Sequence, residues 1–265
     1  MKPYFQSELK DFTLYHADSF KLLKEIPEES IDMIFADPPY FLSNGSFTCQ
    51  NGEMVSVKKG DWDIGSSLKE NFEFHYEWLK LAKRLLKPNG TLWVSSTYHS
   101  TYQIGFAIQK LGYHILNDIV WYKKNAPPNL SGRFFTASHE NLLWVRKHKA
   151  GKHTFNYIEM KNYDSDGDFL KVPGKQMRSV WAVNSVKPYE KRFGKHPTQK
   201  PEMLLKRIIL SSTKEGDTIL DPFSGSGTTG IVAIELNRKF IGIDNESSYL
   251  DISINRVTNN NGNYY

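Results

Sequence analysis

Short apolar runs alternate with longer stretches of helical period along most of the chain. Six runs predict strands: "IDMIFAD" (31–37), "TLWVSS" (91–96), "ILNDIVWYK" (115–123), "ENLLWVRK" (140–147), "DTILD" (217–221) and "KFIGID" (239–244). Residues 19–26, 71–87, 100–111, 200–213, 227–237 and 246–257 carry the period of helices. "KPNG" at 87–90 predicts a helix stop and a turn into the next strand. Strands alternating with helices predict an α/β fold with a doubly wound, mostly parallel sheet.

Two segments lose this rhythm. Residues 41–65 are rich in Ser, Gly, Asn and Lys and predict a loop. Residues 148–194 mix Gly, Pro and aromatic residues with little periodicity. They read as an insertion that divides one domain into residues 1–147 and 195–265.

Composition narrows the setting. A chain of 265 residues can bury a core as one domain with an insertion. It has no run of 18 apolar residues and no secretion-type N-terminus, so a cytoplasmic protein without a membrane span is expected. Cys49 is the only cysteine, which excludes an internal disulfide and a cysteine-based zinc cluster. His16, His75, His99 and His114 lack ligand spacing and read as structural, so no metal site is expected. From Arg146 to Lys200, 13 Lys and Arg stand against 5 Asp and Glu, a local excess larger than the +5 of the whole chain. Positive charge gathered in one segment points to a polyanionic partner.

The sequence "DTILDPFSGSGTTGIVAIEL" predicts a strand, a tight turn and a helix. Gly225, Gly227 and Gly230 satisfy G-x-G-x-x-G, and Asp244 ends the following strand 19 positions after Gly225. This is the layout of a βαβ nucleotide unit, whose terminal acid bonds ribose hydroxyls. A pyrophosphate suits it poorly, because Asp221 puts a carboxylate beside the turn. S-adenosylmethionine carries an ammonium, a sulfonium, a ribose and an adenine, and no phosphate. Asp221, Phe223, Ser224, Gly225, Ser226, Gly227, Asp244 and Asn245 are its candidate ligands here.

"FADPPYFLSNG" at 35–45 raises a separate question. Pro38 and Pro39 end a buried strand, because neither can donate to a sheet ladder. Asp37 is left at the carboxyl edge, where open α/β sheets hold ligands. A carboxylate and the fixed carbonyl of Pro38 suit an exocyclic amine, whose two hydrogens they can accept. Such acceptors favour the pyramidal nitrogen of the transition state over the flat ground state. Asp37, Pro38, Pro39 and Tyr40 are the candidate catalytic residues, with Tyr40 expected to offer a ring for the base to stack on.

"DPPY" before "DPFSGSGTTG", with a basic segment between, resembles the β-class DNA amino-methyltransferases over almost the whole chain. The resemblance implies a Rossmann-like methyltransferase fold with a target-recognition insertion, S-adenosylmethionine as cofactor and DNA as substrate. "HADSF" resembles the family's adenine-contact motif, with Asp18 the contact. "KHPTQKP" resembles the motif in which His196, Thr198 and Lys200 approach the methionine end, near Asp37. "NAPPNLSGRFFT" and "KGDWD" are similar to the DpnA type, the second methyltransferase of DpnII-like restriction systems. That likeness implies N6 of adenine in GATC, acceptance of single strands as well as duplex, and a restriction endonuclease as functional partner. β-class relatives also imply a homodimer.

Residues 41–65 then read as a lid or a DNA-facing loop, with Trp62 either a loop anchor or a DNA-facing aromatic. Lys123, Lys124, Arg133, Lys175, Arg178, Lys187, Lys191 and Arg192 are candidate phosphate contacts. Phe41, Phe47, Phe134, Phe135, Tyr189 and Phe193 join Tyr40 and Trp62 as candidate stacking partners for single strands, at least half of them expected in the core. The nearest rival is an N4-cytosine methyltransferase, which more often has Ser at the position of Asp37. Glutamine or RNA methylation would more often show Asn there. A nicotinamide oxidoreductase leaves "DPPY" unexplained, and a non-catalytic DNA-binding module explains the charge alone.

Overall fold

Residue alternation in the central strands builds two cores at once. In the strand Ile31–Ala36, Met33 and Phe35 point to one face, and Ile34 and Ala36 to the other. The computed structural model describes residues 1–9, 11–41, 47–50, 53–56, 67–129, 131–163 and 168–259. In chain order the strands are β1 (Phe5–Gln6), β2 (Phe12–His16), β3 (Ile31–Ala36), β4 (Phe47–Gln50), β5 (Glu53–Ser56), β6 (Leu86–Ser96), β7 (His114–Tyr122), β8 (His139–Arg146), β9 (Val180–Ala182), β10 (Thr218–Asp221) and β11 (Lys239–Asp244). The helices are α1 (Ser19–Glu25), α2 (Leu68–Leu85), α3 (Thr101–Lys110), α4 (Tyr157–Asn162), α5 (Glu202–Ser212), α6 (Thr228–Glu235) and α7 (Ser247–Asn259).

The main sheet runs β1-β2-β11-β10-β3-β6-β8-β7-β9. Its centre, from β2 to β6, is parallel, and β9 is parallel to β7. β1 on β2 and β8 between β6 and β7 are antiparallel. One core holds Met33, Phe35, Trp93, Trp144 and Phe240 against α5, α6 and α7. The other holds Ile34, Leu92 and Leu143 against α1, α2 and α3, with Trp78 fully buried. The doubly wound α/β fold expected from the alternation is the fold observed.

The differences are local. "KPNG" does end a helix, but the residues after Leu85 already belong to β6. The register jumps from Ile31↔Leu86 to Met33↔Thr91, so Lys87–Gly90 is absorbed as an irregularity rather than a free turn. Lys87 holds it down through both oxygens of Asp32 at 2.8 Å. Part of 41–65 is a hairpin, with β4 antiparallel to β5 from Phe47↔Ser56 to Gln50↔Glu53. Trp62 lies outside the described residues.

The basic segment is fastened to the sheet domain. β9 adds a strand to the edge at β7, pairing Trp121 with Trp181. Asp168 and Arg207 of α5 form an ion pair of 2.7 Å, with side chains 2% and 0% exposed. Asn156 Nδ2 donates to the carbonyls of Leu210 and Thr213 at 2.7 and 2.8 Å. No described helix is long and apolar enough to cross a membrane.

β3 and β10 lie side by side in parallel, Met33 opposite Ile219. From this pair the chain winds outward both ways, so their carboxyl ends open the ligand crevice of a doubly wound sheet. Asp37 follows one of these ends and Asp221 closes the other.

Candidate active site

The glycine turn is shaped by sterics. Gly225 and Gly227 have φ of 50° and 71°, the left-handed region that favours glycine. A Cβ on Gly225 would stand 2.9 Å from His196 Nε2. One on Gly230 would overlap the Phe240 ring, so this third glycine seats α6 against β11. Asp244 braces the turn from the next strand, accepting from Gly225 N at 2.7 Å and Glu246 N at 2.9 Å.

A cavity of about 270 Å³ opens beside this turn. Of the expected cofactor residues, Asp18, Asp37, His196, Thr198, Phe223, Gly225, Asp244 and Asn245 line it. Ser19, Phe20, Phe74, Pro222 and Tyr249 also line it and were not anticipated. Phe74 meets Phe20 edge-on at 5.2 Å and Phe223 at 6.1 Å, which makes an aromatic wall. Tyr249, also in the lining, packs edge-on to His196 at 4.3 Å. Burial, helped by the Lys200 charge, holds His196 down at about 4, so the imidazole is neutral at ordinary pH. The lining therefore offers three aspartates and no Lys or Arg. That donor set suits a cationic, aromatic ligand such as S-adenosylmethionine and disfavours a phosphate.

Five expected cofactor residues sit elsewhere. Asp221 is 2% exposed, and it accepts from Phe223 N at 3.0 Å and Thr229 Oγ1 at 2.6 Å. It ties the turn internally instead of facing the cavity. Burial drives its carboxyl up to about 7. Ser224 packs under Gly242, where a Cβ would come within 2.7 Å of its hydroxyl. Ser226 turns inward, its carbonyl taking Arg256 Nη1 at 2.8 Å. Gly227 backs onto Ser253. Lys200 turns to Asp37 rather than into the cavity, Nζ to Oδ2 at 2.5 Å.

Around Asp37 the structure builds a closed network. Tyr40 donates its hydroxyl to Asp37 Oδ1 at 2.7 Å and lies 2.8 Å from Ser95 Oγ. Tyr40 is only 5% exposed, so the open stacking face expected of its ring is not there. Its hydroxyl positions the carboxylate instead. Glu140, at the start of β8, completes the network without any prior signal. Its Oε2 lies 3.2 Å from Tyr40 Oη, 3.3 Å from Ser95 Oγ and 3.8 Å from Lys200 Nζ. Its Oε1 pairs with Lys123. Burial pulls the Lys200 ammonium down, but the charges of Asp37 and Glu140 outweigh it and hold the group above the usual lysine range. Pro38 is buried and Pro39 lines the cavity beside Asp37.

Lys123 is thus an internal ion-pair partner, not a surface phosphate contact. Lys124 stands over the Phe169 ring at 4.3 Å and is exposed. Arg133, Lys175, Arg178, Lys187, Lys191 and Arg192 are exposed as expected. Phe134 and Phe135 are 69% and 99% exposed on the β7–β8 connection, which leaves the sheet beside Lys123 and Glu140.

Known proteins extend the pattern. The profile of a family described as "DNA methylase" matches residues 31–255. Type II methyltransferase M2.LlaDCHI of Lactococcus lactis subsp. cremoris is 54% identical over 97% of this chain and 92% of its own. Type II methyltransferase M2.DpnII of Streptococcus pneumoniae is 53% identical over the same shares. A crystal structure of M1.HpyAVI with SAM is 29% identical, with a TM-score of 0.68 over 93% of this chain and 98% of that one. The acidic, aromatic cavity at the switch point and these similarities agree: the chain belongs to the DNA methylase family and is an S-adenosylmethionine-dependent DNA methyltransferase.

Proposed function

We propose that the enzyme methylates N6 of adenine within GATC, on single strands as well as duplex, as the modification partner of a restriction endonuclease. The observation that carries the amine assignment is Asp37. It stands at the cavity wall with Pro39, held by Tyr40 and Lys200 at the carboxyl edge of β3. A carboxylate there accepts one hydrogen of the amine, and the Pro38 carbonyl takes the other. Together they favour the pyramidal nitrogen. The rings of Pro38 and Pro39 fix φ on both sides of the Pro38 carbonyl, so that this acceptor is preorganised. Bound S-adenosylmethionine supplies the electrophilic methyl group. Asp37 opposes the positive charge arising on the nitrogen and passes the released proton towards solvent.

The GATC and single-strand assignments rest on the likeness of "NAPPNLSGRFFT" and "KGDWD" to the DpnA type, and the named type II relatives support a place in a restriction-modification system. A single strand also spares the few kcal/mol of unpairing that a flipped base costs. The test is transfer of tritiated methyl groups to one GATC oligonucleotide, single-stranded and annealed, with GATC-free controls and base analysis of the product. N6-methyladenine confined to GATC in both forms is the expected result. N4-methylcytosine would replace the assignment with the rival one, and negligible transfer to the single strand would leave a duplex enzyme.

A further inference from the structure

The network behind Asp37 contains more charge than amine binding needs. Asp37 and Glu140 are the acids, Lys200 and Lys123 the cations, and Tyr40 and Ser95 the hydroxyls that join them. Lys200 is 6% exposed, and its ammonium has a choice of two carboxylates. It sits 2.5 Å from Asp37 Oδ2 and 3.8 Å from Glu140 Oε2. The Tyr40 hydroxyl faces the same choice, at 2.7 Å from Asp37 and 3.2 Å from Glu140.

This arrangement opposes the reaction as it stands. The amine nitrogen gains positive charge as the methyl arrives, and Asp37 has to oppose that charge. An ammonium paired with Asp37 cancels much of the carboxylate's field and repels the new cation across a poorly solvated site. The pair must loosen before Asp37 can act. A buried ammonium cannot simply be released, because an unpaired charge there is costly. Glu140 removes that obstacle, since Lys200 needs to travel only about an ångström to become its partner.

We propose that Glu140 is a positioning residue for methyl transfer. It receives Lys200 and the Tyr40 hydroxyl when the target amine docks, so that Asp37 meets the amine as an unpaired carboxylate. Lys123 anchors Glu140 for this role through the pair at its other oxygen. The proposal rests on the reading of Asp37 as the amine acceptor.

The test compares single-turnover methyl transfer to a GATC oligonucleotide in wild type, Glu140→Gln, Glu140→Asp, Lys200→Gln and the Glu140→Gln/Lys200→Gln double variant. Cofactor affinity is measured by calorimetry for each. Glu140→Gln keeps the shape but cannot hold the ammonium, so the rate falls about 10- to 100-fold, the size of one charge-assisted hydrogen bond. Cofactor Kd changes less than about threefold, because Glu140 does not line the cavity. Glu140→Asp recovers part of the rate. The double variant is slower than Lys200→Gln by far less than the Glu140→Gln loss, because Glu140 acts mainly through Lys200 and only the Tyr40 contact is left to lose.

A Glu140→Gln rate within twofold of wild type overturns the proposal, as do additive losses in the double variant or equal losses of rate and cofactor binding. A wild type that methylates neither N6 of adenine nor N4 of cytosine, or an Asp37→Ala variant of ordinary activity, overturns the reading of Asp37 instead. The two failures are therefore separate. Should Glu140→Gln fail to bind cofactor through misfolding, Glu140→Asp decides by whether its loss is confined to the rate.

Discussion

Two Asp-Pro pairs end neighbouring strands of this sheet, and the fold uses them in opposite ways. "ADPP" follows β3 and "LDPF" closes β10, their strands paired in parallel with Leu220 opposite Ile34. Asp37 is half-buried, lines the cavity, and is held by side chains from elsewhere in the chain, Lys200 and nearby Tyr40. Asp221 is buried and held locally, by Phe223 N of its own turn and by Thr229 Oγ1 at the start of α6. Side-chain partners can be exchanged as a substrate arrives. A backbone amide two residues on cannot leave without unmaking the turn. The same dipeptide thus faces the cavity at one strand end and ties a turn at the next.

The largest expected effect breaks the first half of that contrast. Asp37→Ala should lower methyl transfer by about 10²- to 10⁴-fold, the range for a group that assists proton transfer. Cofactor affinity should fall far less, because two other aspartates remain in the lining. Tritium transfer and calorimetry on one preparation check both. An Asp37→Ala enzyme of ordinary activity would refute the mechanism.

Asp221→Ala should act on folding first. It strands the Phe223 amide and the Thr229 hydroxyl, at about 1–3 kcal/mol for a buried polar group left unsatisfied. Urea titration should show that loss, with any weakening of cofactor binding following from the damaged turn. Thr229→Val in the same background should then cost less than it does in wild type, because the pair is already broken. Asp244, which both lines the cavity and braces Gly225, should lose affinity and stability together.

The contrast also explains what could be read in advance. "DPPY" and "DPFSGSGTTG" are legible because strand end, turn and acid are consecutive, so their chemistry survives in the linear order. His196, Thr198, Asp18 and Asn245 came with short motifs and do reach the cavity. Glu140 was invisible because its role is created by register: β8 runs back along β6, Asn141 opposite Ser96 and Leu142 opposite Ser95. Phe74 and Tyr249 are missed for a similar reason, since helix docking alone turns them to the cavity. Ser224 and Ser226 show the reverse error: a motif position implies proximity, not the direction of a hydroxyl. β9 escaped because a run of three residues gives too little alternation to count.

A smaller effect tests the buried acid, Asp221, by pH. The unfolded Asp221 titrates near 3.8 and the folded one at about 7, so the folded state binds the extra proton between those values. Stability from this group is present below 3.8 and is lost as pH rises towards 7. His75 and His196, held by burial at about 3 and about 4 against 6.5 unfolded, work the other way. Their contribution is present above 6.5 and is lost as pH falls. Asp221→Asn should therefore steepen the rise of stability with pH between about 4 and 6.5, by up to about 1.4 kcal/mol per pH unit. Denaturant midpoints at three pH values measure the slope, and an unchanged slope would mean that Asp221 is ionised throughout.

The smallest effect per residue concerns the cations outside the site. Lys123 and Lys200 spend their charge on Asp37 and Glu140, whereas Lys187, Lys191 and Arg192 are exposed around the short turn at Pro188–Lys191. Lys187 lies 5.8 Å from the Tyr189 ring and Arg192 4.7 Å from the Phe193 ring, which leaves charge and aromatic surface together on one face. Such a face suits phosphates, with bases beside them, and carries no sequence code of its own. Replacing all three cations by Ala should weaken DNA binding alike on GATC and GATC-free oligonucleotides. The slope of log affinity against log salt should drop by about 0.9 for each duplex phosphate that is no longer neutralised. Lys123→Ala should do the opposite, slowing transfer while leaving the slope unchanged, because its charge never meets the phosphates. Fluorescence anisotropy across a salt series gives both slopes. If the triple variant keeps the wild-type slope, this turn is not part of the DNA face, and the exposed cations on the connection that carries Arg133 become the next surface to remove.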